Sequence, residues 1–94
     1  MTHVTLQTAF TIPDAVVFRE LDGEAVLLNL DSGQYFGLNE VGTRIWQLLA
    51  ELGQPQPVLD ALLEEFDVSA AELETDVLSL LEQLAARGLI APVP

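Results

Sequence analysis

The stretch AVLLNLDSGQYFGLNEVGTRIW, residues 25–46, decides the fold of this chain. It opens with an apolar strand, which a turn at residues 31–33 connects to a second strand, residues 34–38. A helix begins directly afterwards, with Asn39 as its predicted N-cap. A hairpin whose last strand leads straight into a helix predicts a sheet edge that lies beside helical surface.

The residues around this hairpin complete an antiparallel β-meander. Residues 15–21 predict the first strand, and Asp22-Gly23 forms a two-residue hairpin turn because both positions tolerate positive φ. Residues 25–30 and 34–38 are the second and third strands. Residues 1–14 are weakly patterned and contain the breaker Pro13-Asp14, so we treat them as an N-terminal extension of unknown role.

Three helices are predicted after the meander. The first ends at Gly53, the second begins at Pro57 after a rigid linker, and the third begins at Ser69 and ends at Gly88. Ser69 and Glu72 have the spacing of a capping box. The predicted fold is therefore α+β and winged helix-turn-helix-like, a three-stranded antiparallel β-meander followed by three α-helices.

The third helix carries two lines of side chains at helical spacing. The predicted core stripe consists of Leu73, Val77, Leu80 and Leu84. A second line beside it runs through Glu74, Leu78, Leu81 and Ala85. Leu78 is the apolar residue of this second line that the core does not obviously need, so we expect it to be exposed or to cover a ligand.

The composition narrows the classes of partner. The 94 residues, enough for one domain, include 15 carboxylates, three arginines and no lysine, which gives a net charge of -12. Nucleic acid and anionic membranes are disfavoured because binding them needs clustered cations, whereas a partly basic partner is favoured. No membrane-spanning run or signal peptide is visible, and the lack of cysteine fits the cytoplasm.

Residues for catalysis are missing from the sequence. The single histidine, His3, lies in the weakly patterned N-terminus, and the acidic groups on the helices are typical of solvated faces. No GxGxxG, P-loop or GxSxG motif occurs. We therefore predict a protein that is not an enzyme and that holds no metal or cofactor.

Peptide binding is the chemistry that the predicted edge offers. An open strand edge beside an apolar groove accepts an extended peptide as an added strand. Tyr35 and Phe36 would point to opposite faces, one into the core and the other available to a ligand. Gly37 carries no side chain, so a second backbone could approach closely there.

The chain resembles the PqqD family over about residues 15–91. The segments that carry the resemblance are GEAVLLNLDSGQYFGLNEVGTRIWQLL and VLDALLEEFDVSAAELETDVLSLLEQLAARGLI, and the most specific parts are YFxLN at residues 35–39, FDV at 66–68 and DV at 76–77. Members of this family are small precursor-recognition domains, also called RiPP recognition elements, for ribosomally made peptides that are later modified.

The resemblance implies that a leader segment of a precursor peptide adds as a strand to the third strand and packs against the third helix. In this chain the implied leader-binding residues are Gln34, Tyr35, Phe36, Gly37, Leu38, Glu74, Asp76, Val77, Leu78, Leu81 and Ala85. The chain ends soon after Ile90, so we expect a free-standing domain without a fused enzyme.

Three hypotheses about function remain besides the preferred one. The preferred hypothesis is that the protein acts like the stand-alone recognition domains of lasso-peptide pathways. Those domains hand the precursor to a separate leader peptidase and possibly a cyclase. The runner-up is a peptide chaperone for a radical SAM enzyme in quinone-cofactor biosynthesis. The other two are an acidic structural or regulatory subunit and a degenerate DNA-binding regulator.

Overall fold

The computed structural model describes residues 4–93, so His3 lies outside the described part of the chain. The elements in chain order are β1 (Phe10–Thr11), β2 (Val16–Leu21), β3 (Glu24–Asn29), β4 (Tyr35–Leu38), α1 (Glu40–Leu52), α2 (Pro55–Glu65), α3 (Ala70–Ala86) and β5 (Ala91–Pro92). β2, β3 and β4 form an antiparallel sheet in that order. The predicted α+β class, with a meander before three helices, is confirmed.

The meander has the predicted connections. Asp22 and Gly23 both have positive φ, 55° and 83°, and their turn pairs Leu21 with Glu24. The β3–β4 ladder pairs Ala25 with Leu38 at its far end. Within residues 4–93, β4 pairs with β3 alone, so it is an edge strand of the sheet.

The core lies between one face of the sheet and the three helices. Ala25 and Leu27 of β3 point into it and are buried. Because side chains alternate along a strand, the other face of the sheet carries side chains that remain largely exposed, including Val26 and Tyr35. The largest fully buried side chains are Leu27, Leu62, Leu81, Leu84, Leu89, Ile90, Val58, Val77 and Pro55.

Helix α1 begins and ends as predicted. The Asn39 side chain accepts a hydrogen bond of 2.8 Å from the Gly42 N–H, and Gly53 ends the helix with φ of 74°. The cap packs closely on Gly42, since a Cβ there would lie 3.2 Å from the Asn39 Oδ1 atom. This junction fixes the position of α1 directly after β4.

The start of α2 differs from the prediction. The helix begins at Pro55, two residues before the predicted start at Pro57. Both prolines fit the first turn, because the N–H groups of that turn have no partner within the helix. The start of α3 is as predicted, with the Ser69 side chain accepting a bond of 3.1 Å from the Glu72 N–H.

Part of the predicted N-terminal extension packs on the body of the protein. Phe10 is buried, donates its N–H to the Gly53 carbonyl at 2.8 Å, and pairs with Pro92 of β5. The Gln56 N–H donates to the Leu6 carbonyl at 3.1 Å. Residues 4–11 thus cover the α1–α2 connection, while the division of the chain at residue 15 stays a prediction.

Candidate functional site

The open side of β4 presents the backbone of two residues. The Asn29 N–H donates to the Gln34 carbonyl at 2.8 Å, which orients Gln34 toward β3. Because ladder bonds alternate along an antiparallel strand, Phe36 and Leu38 also bond toward β3. The N–H and C=O groups of Tyr35 and Gly37 therefore point away from the sheet.

The side chains of β4 divide between the two faces of the sheet. Phe36 is half-buried against the core, and Leu38 is buried. Tyr35 lies on the outer face and is 70% exposed. The prediction that Tyr35 and Phe36 point to opposite faces is confirmed. A Cβ added at Gly37 would meet no atom within 4 Å, so the outer face there is open.

A cavity of about 510 Å³ lies beside this edge, between β4, the first turns of α1 and helix α3. Its apolar wall comes mainly from Phe36, Leu38, Val41, Ile45 and Leu80, and Asp76 contributes a carboxylate. We call this space the edge groove; its full lining is Phe36, Gly37, Leu38, Asn39, Val41, Gly42, Ile45, Asp76 and Leu80.

Helix α3 turns a different face to the edge groove from the one that the sequence predicted. Leu80, predicted to be core, is half-buried and lines the groove, whereas Leu81, predicted beside the core stripe, is fully buried. Leu81 thus belongs to the core stripe and not to the line beside it, while Leu80 packs against the core as predicted and also lines the groove. A run with leucine at positions 78, 80 and 81 is compatible with two neighbouring stripes, and the packing of the other helices selects between them.

The predicted leader-binding residues of α3 are not all brought to the groove. Asp76 lines it, but Val77 and Leu81 are fully buried in the core. At 3.6 residues per turn, Leu78 lies about 160° around α3 from Leu80, so the two leucines pack against the core from opposite flanks of the helix. The groove lining does not include Glu74, Leu78 or Ala85, and their contact with a leader stays a prediction.

Arg87 is not among the predicted site residues, although it contacts Phe36 of the groove wall. Its guanidinium carbon lies 5.1 Å from the centre of the Phe36 ring, in a cation–π contact at the end of the groove wall. The spacing from Asp76 to Arg87, close to three helical turns, was the sequence signal that could have placed both residues on one face.

Asn29 ties this end of the groove together. Its Nδ2 atom donates to the Gly88 carbonyl at 2.9 Å, and its Oδ1 atom accepts from the N–H groups of Asp31 and Ser32. One buried side chain thus connects the β3–β4 turn to the end of α3.

At the opposite edge of the sheet, β2, the depression that the described residues form is smaller and more polar than the edge groove. Phe18 stacks on Trp46 with ring centres 6.3 Å apart, and the Gln47 amide donates to the Glu20 carboxylate. The depression beside β2 is about 260 Å³ and is lined largely by polar side chains.

An ion pair lies across that depression. Arg44 binds both carboxylate oxygens of Glu65 at 2.8 Å. These hydrogen bonds from the Arg44 guanidinium hold the pKa of Glu65 below its ordinary value. The pair connects α1 to the end of α2 and forms part of the polar lining of the depression beside β2.

Neither a metal site nor a membrane span is found in the part of the chain that the structure describes. Residues 4–93 contain no group of three or more His, Cys, Asp or Glu side chains placed to hold a metal ion. None of the helices in this range combines the length and the apolar character needed to cross a bilayer.

Two solved structures are similar to this chain over most of its length. TbiB1 in complex with the TbiA(beta) leader peptide is 42% identical and has a TM-score of 0.81; the match covers 88% of this chain and 96% of that one. A lasso peptide synthetase B1 complexed with the leader peptide is 28% identical and has a TM-score of 0.79; the match covers 89% of this chain and 99% of that one.

One protein-family model matches the sequence over most of its length. No curated protein sequence matches the chain. The family model for coenzyme PQQ synthesis protein D (PqqD) matches residues 24–90, which span β3 to the end of α3 and hence both walls of the edge groove. This match covers well over half of the sequence, and the chain belongs to the PqqD family.

Proposed function

We propose that this protein binds the leader segment of a ribosomally made precursor peptide in a lasso-peptide pathway. The observation that carries the proposal is the open backbone of Tyr35 and Gly37 directly beside the apolar edge groove. The similarity to TbiB1, whose solved complex contains a leader peptide, supports the same function for this chain.

The geometry of the edge gives the binding mode. A leader strand bonds to the outward N–H and C=O groups of Tyr35 and Gly37, and every second side chain of the leader then enters the edge groove. A net ladder bond contributes about 0.5–1.5 kcal/mol, and a fully buried apolar side chain about 1.5–3 kcal/mol. Ladder bonds fix the register, while the groove supplies most of the affinity.

The bound leader is then delivered to other proteins for processing. We infer that a separate leader peptidase, and a cyclase after it, act on the precursor while this protein contributes recognition alone, without a metal or cofactor. The sequence contains no cysteine, and the proposed partner is made by ribosomes; both facts fit a cytoplasmic location. A bound leader would place its outward side chains next to Tyr35 on the outer sheet face, where a processing enzyme can reach them.

A calorimetric titration with the TbiA(beta) leader peptide tests the binding function. We expect saturable binding of one peptide per protein, and no binding of a peptide with the same residues in scrambled order. The mass of a full precursor incubated with the protein alone should not change. Equal binding of leader and scrambled peptide would contradict specific recognition, and cleavage or ring formation would contradict a role without catalysis.

The quinone-cofactor pathway is the second candidate, because the matching family model describes a coenzyme PQQ synthesis protein. Preference for the precursor of that cofactor over the TbiA(beta) leader would favour it. An acidic regulatory subunit would bind neither peptide.

The DNA-binding hypothesis conflicts with the charge of α3, because Glu72, Glu74 and Asp76 would face phosphates. Retention of the protein on DNA at low salt tests this hypothesis.

A further inference from the structure

The two ends of the edge groove carry opposite charges. Asp76 lines the groove near the β4–α1 junction, and Glu72 lies one turn earlier on α3 beside a shallow depression that Asp76 also lines. Arg87 is not part of this lining, but its guanidinium lies above the ring of Phe36, which is. The apolar wall of the groove therefore runs from a carboxylate to a guanidinium.

Arg87 is the arginine available to a ligand in this groove. Of the three arginines, Arg44 is engaged with Glu65, and Arg19 lies on the outer face of the sheet opposite Val26. Among residues 4–93, Arg87 has no carboxylate partner, although the chain carries 15 carboxylates. Its guanidinium rests on the Phe36 ring with its hydrogen-bond donors free for an incoming carboxylate.

The charges share one face of α3 at a spacing that suits an extended peptide. At 3.6 residues per turn, Asp76, Leu80 and Arg87 lie within about 40° of one another around the helix axis. A rise of about 1.5 Å per residue separates Asp76 from Arg87 by about 16 Å along the axis. A strand rises about 3.3 Å per residue and alternates its side chains, so residues on one face lie about 13 Å apart at four positions and about 20 Å apart at six, which brackets that distance.

We propose that the edge groove selects its peptide by charge order as well as by apolar side chains. This inference rests on the proposed function. The preferred leader strand carries a basic side chain at the position facing Asp76, an acidic side chain at the position facing Arg87, and apolar side chains between them.

The direction of the chain determines which charge comes first. Asp76 lines the groove with residues of the β4–α1 junction, and Asn29 ties Gly88 to the start of β4, so we infer that α3 runs opposite to β4. A strand that adds antiparallel to β4, the slightly more stable ladder, runs in the same direction as α3. The basic residue of the leader then precedes the acidic residue by four or six positions, because only an even separation puts both side chains on the groove side of the strand.

A charge scan of the TbiA(beta) leader peptide tests this order. Each leader position is replaced in turn by lysine, glutamate or glutamine, and the Kd of each peptide is measured. We expect one position that prefers lysine over glutamate and a second, four or six residues later, that prefers glutamate over lysine. Each preference should amount to about two- to five-fold in Kd, as for partly exposed ion pairs.

Variants of the protein assign each preference to its partner. Arg87→Gln should abolish the glutamate preference at the second position and leave the lysine preference at the first, and Asp76→Asn should do the reverse. Arg19→Gln and Glu82→Gln remove one charge each away from the groove, so they should change the Kd of every peptide by similar factors. These controls separate a local pair from the effect of net charge.

The outcomes distinguish this inference from the proposed function. If all peptides bind but glutamate and lysine are equivalent at every position, the charge-order inference is wrong while leader binding stands. If the preferences occur in the opposite order along the leader, it is wrong as well. If the leader does not bind better than its scrambled version, the proposed function itself fails.

Discussion

The two edges of the sheet, β2 and β4, differ in the space beside them. Among residues 4–93, both strands pair with β3 and with no other strand. Beside β2, Phe18 packs on Trp46 and Glu20 is held by Gln47, so side chains close the inner face. Beside β4, helix α3 leaves a groove of about 510 Å³. An open edge becomes a peptide site only where the adjacent helix leaves room for alternate side chains.

Proline at the β4 edge should produce the largest effect on leader binding. The Gly37 N–H points to the open side, so Gly37→Pro removes a donor that the free protein does not use. We expect about a ten-fold rise in Kd from the lost ladder bond and the proline ring at the edge, with little change in melting temperature. A calorimetric titration and a melt followed by Trp46 fluorescence measure the two quantities.

Two controls separate this effect from a general disturbance of the strand. Gly37→Ala keeps the N–H and adds a methyl group where no atom lies within 4 Å, so it should bind like wild type. Glu20→Pro places the same ring on the open side of β2 and should leave the Kd unchanged. If Glu20→Pro weakened binding as much as Gly37→Pro, the two edges would be equivalent and the account would fail.

The two flanks of α3 should differ by a smaller factor. Leu80 lines the edge groove, and Leu78 lies on the other side of the core stripe, although both are half-buried. Leu80→Ala should raise the Kd of the leader by about five-fold, since truncating a buried anchor typically costs more than ~1 kcal/mol. Leu78→Ala should leave it near the wild-type value, contrary to the expectation from the sequence.

These two variants form a matched pair. Each loses the same atoms from the same helix at similar burial, so their melting temperatures should fall by similar amounts. A large loss of affinity in Leu78→Ala and none in Leu80→Ala would restore the sequence-based assignment and move the leader to the other flank of α3.

The smallest effect is expected at the ion pair beside β2. Hydrogen bonds from Arg44 lower the pKa of Glu65 below its ordinary value of 4.5. The ionised Glu65 carboxylate therefore stabilises the folded protein above pH 4.5, and this stabilisation is lost as the pH falls through the lowered pKa. Glu65→Gln should therefore slightly lower the melting temperature at pH 7, and the difference should vanish in acid. Leader binding should not change.

Glu64→Gln is the control for this prediction, because it removes a neighbouring exposed carboxylate that forms no ion pair in the described residues. Its melting temperature should stay close to the wild-type value at both pH values. A difference for Glu65→Gln that persists in acid would show that the pair stabilises by packing and not by charge.

The local parts of the fold were predictable because their signals lie within a few residues. Asp22-Gly23 fixes a turn by its backbone freedom, and Asn39 and Ser69 cap helices by bonds to N–H groups three residues later. The pairing of β1 with β5 was not predictable. Each strand has two residues, too few for a period, and they are about 80 positions apart in the sequence.

The site was predictable in part for the same reason. Strand alternation correctly separated Tyr35 from Phe36. The face of α3 could not be assigned, because Leu78, Leu80 and Leu81 satisfy two helical stripes, and burial against the other helices decides between them. The contact of Arg87 with Phe36 joins residues 51 positions apart, and no local pattern encodes it.

Amide hydrogen exchange with and without the leader peptide tests the central claim most directly. By the ladder alternation, the N–H groups of Tyr35 and Gly37 point outward on β4, and those of Phe18 and Glu20 point outward on β2. We predict that a saturating leader slows exchange at Tyr35 and Gly37 and leaves Phe18 and Glu20 unchanged. Protection at Phe18 and Glu20, or at none of the four amides, would contradict strand addition to β4.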